Sequence, residues 1–250
     1  MQIVISPART ITVDEDSFSY QDLPKYLAKT TKILEWMRSL SYDQLHQLWW
    51  NCSTRLADKN YQWLQKMDLR QHLTPAIIAF TGLQYQHMAP DVFTDAGLEY
   101  IQQHLRILSG FYGLLRPFDG IVPYRLGMGD CAHVAGTKNL YQFWGETLAN
   151  DLFTNDNLVL DLASAEYEKA ILPYLNNNRH FVKCRFGEVI DGRIKQKTTQ
   201  VKMARGTMVR YIAENQITDL AGVKQFQVGG FHYYPELSSN EVLAFALKKL

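Results

Sequence analysis

Apolar positions along the chain recur at two periods, and the switches between them mark out its elements. Gln2–Ile5 is a short apolar run ended by Ser6-Pro7, which reads as a buried strand. Over residues 22–40, Leu23, Tyr26, Leu27, Ile33, Leu34 and Met37 keep one helical face apolar. Ser41-Tyr-Asp-Gln44 is a capping box opening the next helix, with Leu45, Leu48, Trp49 and Cys52 inward, and another helix covers 53–67. Residues 76–80 read as a short apolar strand. Leu98, Ile101, Leu105 and Leu108 carry a helix over 95–108 as far as Ser109-Gly110, where Gly110 would take the left-handed conformation after the helix end.

The second half continues with a helix over 140–153, the strand Leu158–Leu162, and a helix start capped by Ser164 with Glu166 in its first turn. Residues 181–190 and 193–201, joined by Asp191-Gly192, form a β-hairpin. A helix over 203–215 and a strand over 226–234 follow. Ser238-Ser-Asn-Glu241 then caps a last helix that runs into Ala246-Leu-Lys-Lys. No linker, repeat or charge block divides residues 1–250. Strands and helices mix without regular βαβ alternation, so the expected fold is one α/β (α+β) domain, a mixed sheet surrounded by helices.

Composition changes this picture little. With 46% hydrophobic and 20% charged residues among 250, a substantial core is expected and disorder is not. Twenty-six basic against 25 acidic residues exert no global pull on nucleic acid or membrane, so an anion site must arise from local segregation. Cys52, Cys131 and Cys184 form no CxxC pair, which suits reduced thiols in a cytoplasm. The N-terminus lacks the pattern of a signal peptide, and no apolar run reaches 18 residues, so no membrane segment is expected.

Candidate chemistry concentrates in His104–Gly129, where five glycines, two prolines and three arginines sit among apolar residues. A glycine hairpin at Gly110–Gly113 would expose backbone N–H groups to a phosphate, flanked by Arg106, Arg116 and Arg125. The alternative is a packed turn whose glycines permit close backbone approach. Residues 192–210 hold Arg193, Lys195, Lys197, Lys202, Arg205 and Arg210 and no acid. Arg193, Lys195 and Lys197 read as a solvated hairpin face; Lys202, Arg205 and Arg210 start a basic helix. Arg9 follows a strand end, where α/β sheets present ligand-binding residues. Asp161, Glu166 and Lys169 are candidates for acid–base chemistry, or alternatively a strand end and capped helix start. The histidines and cysteines show no metal-ligand spacing, so neither metal nor cofactor is expected. Trp49, Trp50, Tyr61 and Trp63 stand at helical spacing and read as core.

Several motifs in order along the chain carry a resemblance: ISPAR at Ile5, HLRILSGFYGLLRPFD followed by PYRLGMG, LYQFWG at Leu140, DLASAEYEK at Asp161, and KMARGTMVRYIAENQI at Lys202. Together they resemble the bacterial YaaA family of peroxide-stress proteins across nearly the whole chain. The resemblance implies the single-domain fold nicknamed "cantaloupe", a cytosolic role in surviving hydrogen peroxide by limiting free iron, and DNA binding through a basic cleft with a helix-hairpin-helix element. No established reaction comes with it. By the motifs, the phosphate-binding set would be Arg9, Arg106, Gly110, Gly113, Arg116, Arg125, Lys202, Arg205 and Arg210. The chain departs from the family where Arg9 replaces lysine, Asp161 asparagine, Glu168 phenylalanine and Gly127 glutamate. FTGLQYQHM also loses the aspartate of FxGDVYxGL.

Three functions follow as expectations. The first is a cytoplasmic, monomeric protein binding double-stranded or structurally distorted DNA. The second is an enzyme on nucleic acid or a phosphorylated metabolite using Asp161, Glu166 or Lys169. The third is an adaptor whose basic cleft takes an acidic protein.

Overall fold

The computed structural model describes residues 1–50 and 52–247. Its main sheet runs, edge to edge, Phe231–Tyr233, Val242–Leu247, His180–Ile190, Leu158–Leu162, Gln2–Ile5, Leu105–Ser109 and Gly113–Leu115, with Arg193–Lys195 paired to the far end of His180–Ile190. The five central strands are parallel and the flanking pairings antiparallel, so the sheet is mixed as expected. Counted in chain order, the parallel strands lie 2-1-3-4-5. Such a sheet has its switch point between its first and third strands, here Gln2–Ile5 and Leu158–Leu162, and opens a crevice beyond their carboxyl ends.

Burial explains why these segments are strands. Ile3, Val4 and Ile5 are all fully buried, so both faces of the first strand are covered, as parallel sheets require. Leu243 to Ala246 are buried consecutively in the same way.

Several expected elements differ. The helix Asp95–His104 stops at Leu105, and Leu105–Ser109 turns extended to pair with Ile3–Ile5. Leu105 and Leu108 continue the helical spacing only by coincidence; long-range pairing overrides it. The expected helix-hairpin-helix segment is therefore a strand–turn–strand, in which left-handed φ falls on Gly113 and not on Gly110. The expected last helix is the strand Val242–Leu247, and its Lys248 and Lys249 lie outside the described residues. Residues 76–80 hold a helical turn, Ala76–Ala79, between strand pairs. The helix expected over 140–153 breaks at Gly145 (φ +53°) into Leu140–Trp144 and Thr147–Leu152. The basic helix begins earlier than expected, as Thr198–Glu214, so Lys197 precedes it and lies off the hairpin strand. The Ser41 capping box and the Asp191-Gly192 hairpin form as expected. No described helix is long and apolar enough to cross a membrane.

Candidate functional site

Two segments leave the sheet at its switch point. Ser6-Pro7-Ala8-Arg9 follows the first strand, and Ala163 to Tyr167 follows Leu158–Leu162. They are stitched together: the Ser164 amide donates to Ser6 Oγ at 2.8 Å, and Ser6 Oγ donates to Ser164 Oγ at 3.2 Å. Ser164 thus ties strand to strand; its side chain does not cap the short helix Ala165–Glu168. Tyr85 donates its hydroxyl to the Ser6 carbonyl at 3.0 Å, fastening the helix Leu83–Met88 to the same corner.

Around this corner lies a pocket of about 330 Å³ lined by Ser6, Arg9, Gln84, Ser164, Lys202 and Arg205 among others. A much smaller pocket of about 20 Å³ adjoins it, sharing Pro7, Ala8, Arg9 and Tyr167 and lined further by Trp50, Arg125 and Asp130. Lys202 and Arg205 come from one face of the helix Thr198–Glu214, being three residues apart. That helix packs closely on Leu83–Met88 because Gly206 has no side chain: a Cβ there would lie 2.0 Å from the Gln84 carbonyl oxygen.

The acids of the cleft are tied to its walls. Glu166 Oε1 accepts the Gly129 amide at 3.0 Å, and Asp130 Oδ2 accepts the Gly127 amide at 2.6 Å. A Cβ on Gly127 would meet Glu166 Oε1 at 2.8 Å, so the Glu166 carboxylate fills the space that a side chain at 127 would need. Beneath the pocket is a buried charge cluster. Asp161 is fully buried and accepts the Ala163 amide at 2.8 Å through Oδ1, while Oδ2 has no partner. Burial and the neighbouring Glu168 push its carboxyl up to about 8. Glu168 is gripped through both oxygens by Lys183 Nζ at 2.5 and 2.6 Å.

Of the residues proposed from sequence, the cleft therefore gathers Arg9, Arg125, Glu166, Lys202 and Arg205, with Asp161 beneath. The others lie elsewhere. Arg106 spends Nη1 on the Gln102 and Leu105 carbonyls. Arg116 is held by Asp119 and Asp22. Arg210 pairs with Glu214 at 2.8 Å, and Lys169 is exposed outside the cleft lining. Gly110 and Gly113 are buried, and the expected exposed amides turn inward: those of Phe111 and Tyr112 donate to Ser109 Oγ. A Cβ on Gly110 would lie 2.7 Å from the Gly127 backbone, so this glycine permits two chains to cross.

Two cleft residues were not legible as such. Trp50, expected in the core, is 59% exposed with Arg9 Cζ 5.6 Å from its ring centroid, whereas Trp49 is buried. Gln84 gave no signal beyond its place two residues after Gly82.

A sequence model of the family described as "Peroxide stress protein YaaA" matches residues 1–237. The chain belongs to this family. Among its YaaA-family relatives, a UPF0246 protein of Limosilactobacillus reuteri is 66% identical over 249 residues, covering 100% of both chains. UPF0246 proteins of Pediococcus pentosaceus and Desulfitobacterium hafniense are 49% and 46% identical, covering 99% and 97% of their own lengths and 100% and 98% of this chain. The family match spans the whole cleft described above, since its lining residues run from Ser6 to Arg205.

Proposed function

We propose that the chain is a DNA-binding protein of the hydrogen peroxide stress response, monomeric and cytoplasmic, which helps limit free iron and the damage it does to DNA. One observation carries the reading. Arg9, Arg125, Lys202 and Arg205 line two adjoining pockets that share Arg9, and none of them forms an ion pair among the described residues. Unpaired cations in a concave surface concentrate a polyanion and displace its counter-ions. The exposed face of Trp50 beside Arg9 suits an unstacked base, which favours distorted DNA over regular duplex. Contacts of this kind address phosphates and ring faces, so sequence preference is weak.

The test is affinity for a gapped duplex across a salt series. Four phosphate contacts give a log–log slope of roughly −3 to −4. A flat response overturns the reading. The enzyme reading draws on Glu166 in the cleft wall. Turnover of a damaged oligonucleotide or phosphorylated metabolite that is lost in Glu166→Gln would favour it over ours.

A further inference from the structure

The deep end of the cleft holds a feature that DNA-backbone binding does not require. Arg205 is only 9% exposed and Gln84 only 7%, yet Arg205 Nε and Gln84 Nε2 are buried without a hydrogen-bond partner. Neither side chain makes any hydrogen bond among the described residues, and no carboxylate oxygen lies within 4.0 Å of the Arg205 guanidinium. A buried N–H without an acceptor is costly, and a buried guanidinium without a counter-charge more so. A guanidinium has donors only, so the partner missing at Arg205 Nε is an acceptor, and the Gln84 amide can donate to the same one. Both line the same pocket, from the two helices that pack together at Gly206, and Lys202 and Ser164 line it with them. The Ser164 hydroxyl accepts from Ser6 and has no acceptor for its own hydrogen.

Four donor side chains thus reach one pocket from three elements, Leu83–Met88, Thr198–Glu214 and the turn after Leu158–Leu162. That arrangement matches a tetrahedral oxyanion with three free oxygens better than a planar carboxylate with two. The one acid on this wall, Glu166, is turned to the Gly129 amide. The acids beneath give Arg205 little relief: Glu168 belongs to Lys183, and Asp161 keeps its proton into the neutral range.

We propose that this pocket binds a phosphate monoester, the terminal phosphate of a single nucleotide unit, through Arg205, Gln84, Lys202 and Ser164. Its volume of about 330 Å³ lies at the lower end of ordinary ligand pockets. Pro7, Ala8, Arg9 and Tyr167 line both this pocket and its smaller neighbour beside Trp50, so the attached nucleoside would lead out over that shared edge. The proposal rests on the cleft being a phosphate-binding face, and the two sources of such a phosphate are a free nucleotide and the 5′ end of a DNA strand.

The experiment is calorimetric titration of the full chain with inorganic phosphate, adenosine 5′-monophosphate and adenosine. It is paired with binding of a gapped duplex carrying either a 5′-phosphate or a 5′-hydroxyl in the gap. The monophosphate should bind, adenosine should bind at least about tenfold more weakly, and phosphate should compete. Arg205→Lys and Gln84→Met should each lose about tenfold or more, and Lys202→Ala, at an exposed position, should lose affinity with no change in the thermal midpoint. A tenfold preference for the 5′-phosphorylated gap identifies a strand end as the source; equal binding of both duplexes with retained monophosphate binding identifies a free nucleotide. No monophosphate binding up to about 10 mM, or equal binding by the folded variants and the wild type, overturns the pocket. In that event salt-dependent DNA binding would still leave the cleft reading standing. Monophosphate binding without DNA binding overturns the cleft reading alone.

Discussion

Gly113 closes the turn between Leu105–Ser109 and Gly113–Leu115 with φ of +81°, and a Cβ there would lie 2.7 and 2.8 Å from Trp144 ring carbons and 3.0 Å from Leu148. Trp144 has little room to withdraw. It is 1% exposed, its Nε1 donates to the Gly110 carbonyl at 3.0 Å, and Tyr26 and Phe143 pack edgewise on its ring. Two costs therefore add in Gly113→Ala: about 1–2 kcal/mol for a left-handed alanine and about 1–3 kcal/mol for overpacking. Gly192 isolates the first. Its φ is +69° and nothing lies within 4 Å of a Cβ there, so Gly192→Ala carries the backbone cost alone. At roughly 2–4 °C per kcal/mol for a chain of this size, the thermal midpoint should fall by about 4–20 °C in Gly113→Ala and about 2–8 °C in Gly192→Ala. Circular dichroism melts, with urea titrations for the free energies, measure both. Equal losses in the two variants would refute the argument that Trp144 clamps the turn. The folded Gly113→Ala protein should bind DNA as the wild type does, because the turn is core; lost affinity in folded protein would return the turn to the interface.

Gly206→Ala would drive a methyl group into the Gln84 backbone and should cost about 1–3 kcal/mol, with monophosphate affinity falling alongside as Leu83–Met88 is displaced; unchanged melts would refute the close approach. Lys202→Ala should lower the DNA salt slope by about one unit, whereas Arg116→Ala should leave it unchanged and instead destabilise the chain by stripping buried Asp119 of its partner. Asp161 holds its proton to higher pH folded than unfolded, so its contribution to stability is full below 3.8 and is lost as pH rises toward about 8. Asp161→Asn should abolish that decline, of at most about 1.4 kcal/mol per pH unit, and gain on the wild type from pH 5 to 8 in urea titrations; parallel curves would count against it. Glu168, Lys183, Cys184 and Arg205 are the charged or titratable groups around Asp161, and ionised Asp161 would become a counter-charge for Arg205. Monophosphate affinity should therefore weaken above about pH 8 in the wild type and not in Asp161→Asn.

Elements whose cause is local were legible in the sequence. The Ser41–Gln44 box needs only its own four residues, the Asp191-Gly192 turn needs two residues at positive φ, and Gln2–Ile5 is apolar on both faces. Leu105–Ser109 and Val242–Leu247 were misread because their partners are distant: the first strand lies about a hundred positions from the former, and His180–Ile190 about sixty from the latter. The unbroken apolar run Val242–Leu247 carried a strand signal that a nearby capping pattern outweighed. In the cleft, Glu166 could be named from its place after a strand end, and Arg9, Lys202 and Arg205 because the family motifs singled out a strand end and a basic helix start. Trp50 and Gln84 could not. Adjacent Trp49 and Trp50 divide between core and cleft, and only the long-range packing of the helices decides which goes where.

The same long-range packing explains why counting arginines along the chain misplaced half of them. A charge produces an external field only if the fold leaves it unanswered, and the answers come from residues remote in sequence. Arg116 is answered by Asp22 and Asp119, Arg210 by Glu214, and Arg106 by two backbone carbonyls, so these three project little charge despite their glycine-rich and basic surroundings. In the cleft the pattern reverses. The carboxylates are the answered groups: Asp130 and Glu166 by loop amides, Glu168 by Lys183, Asp161 by its retained proton. The cations Arg9, Arg125, Lys202 and Arg205 are left over. A chain of net charge +1 thereby builds a strongly cationic concavity without any excess of basic residues. Arg205 carries this furthest, because its burial raises the cost of staying unanswered and so strengthens its demand for an anion that the protein itself does not supply.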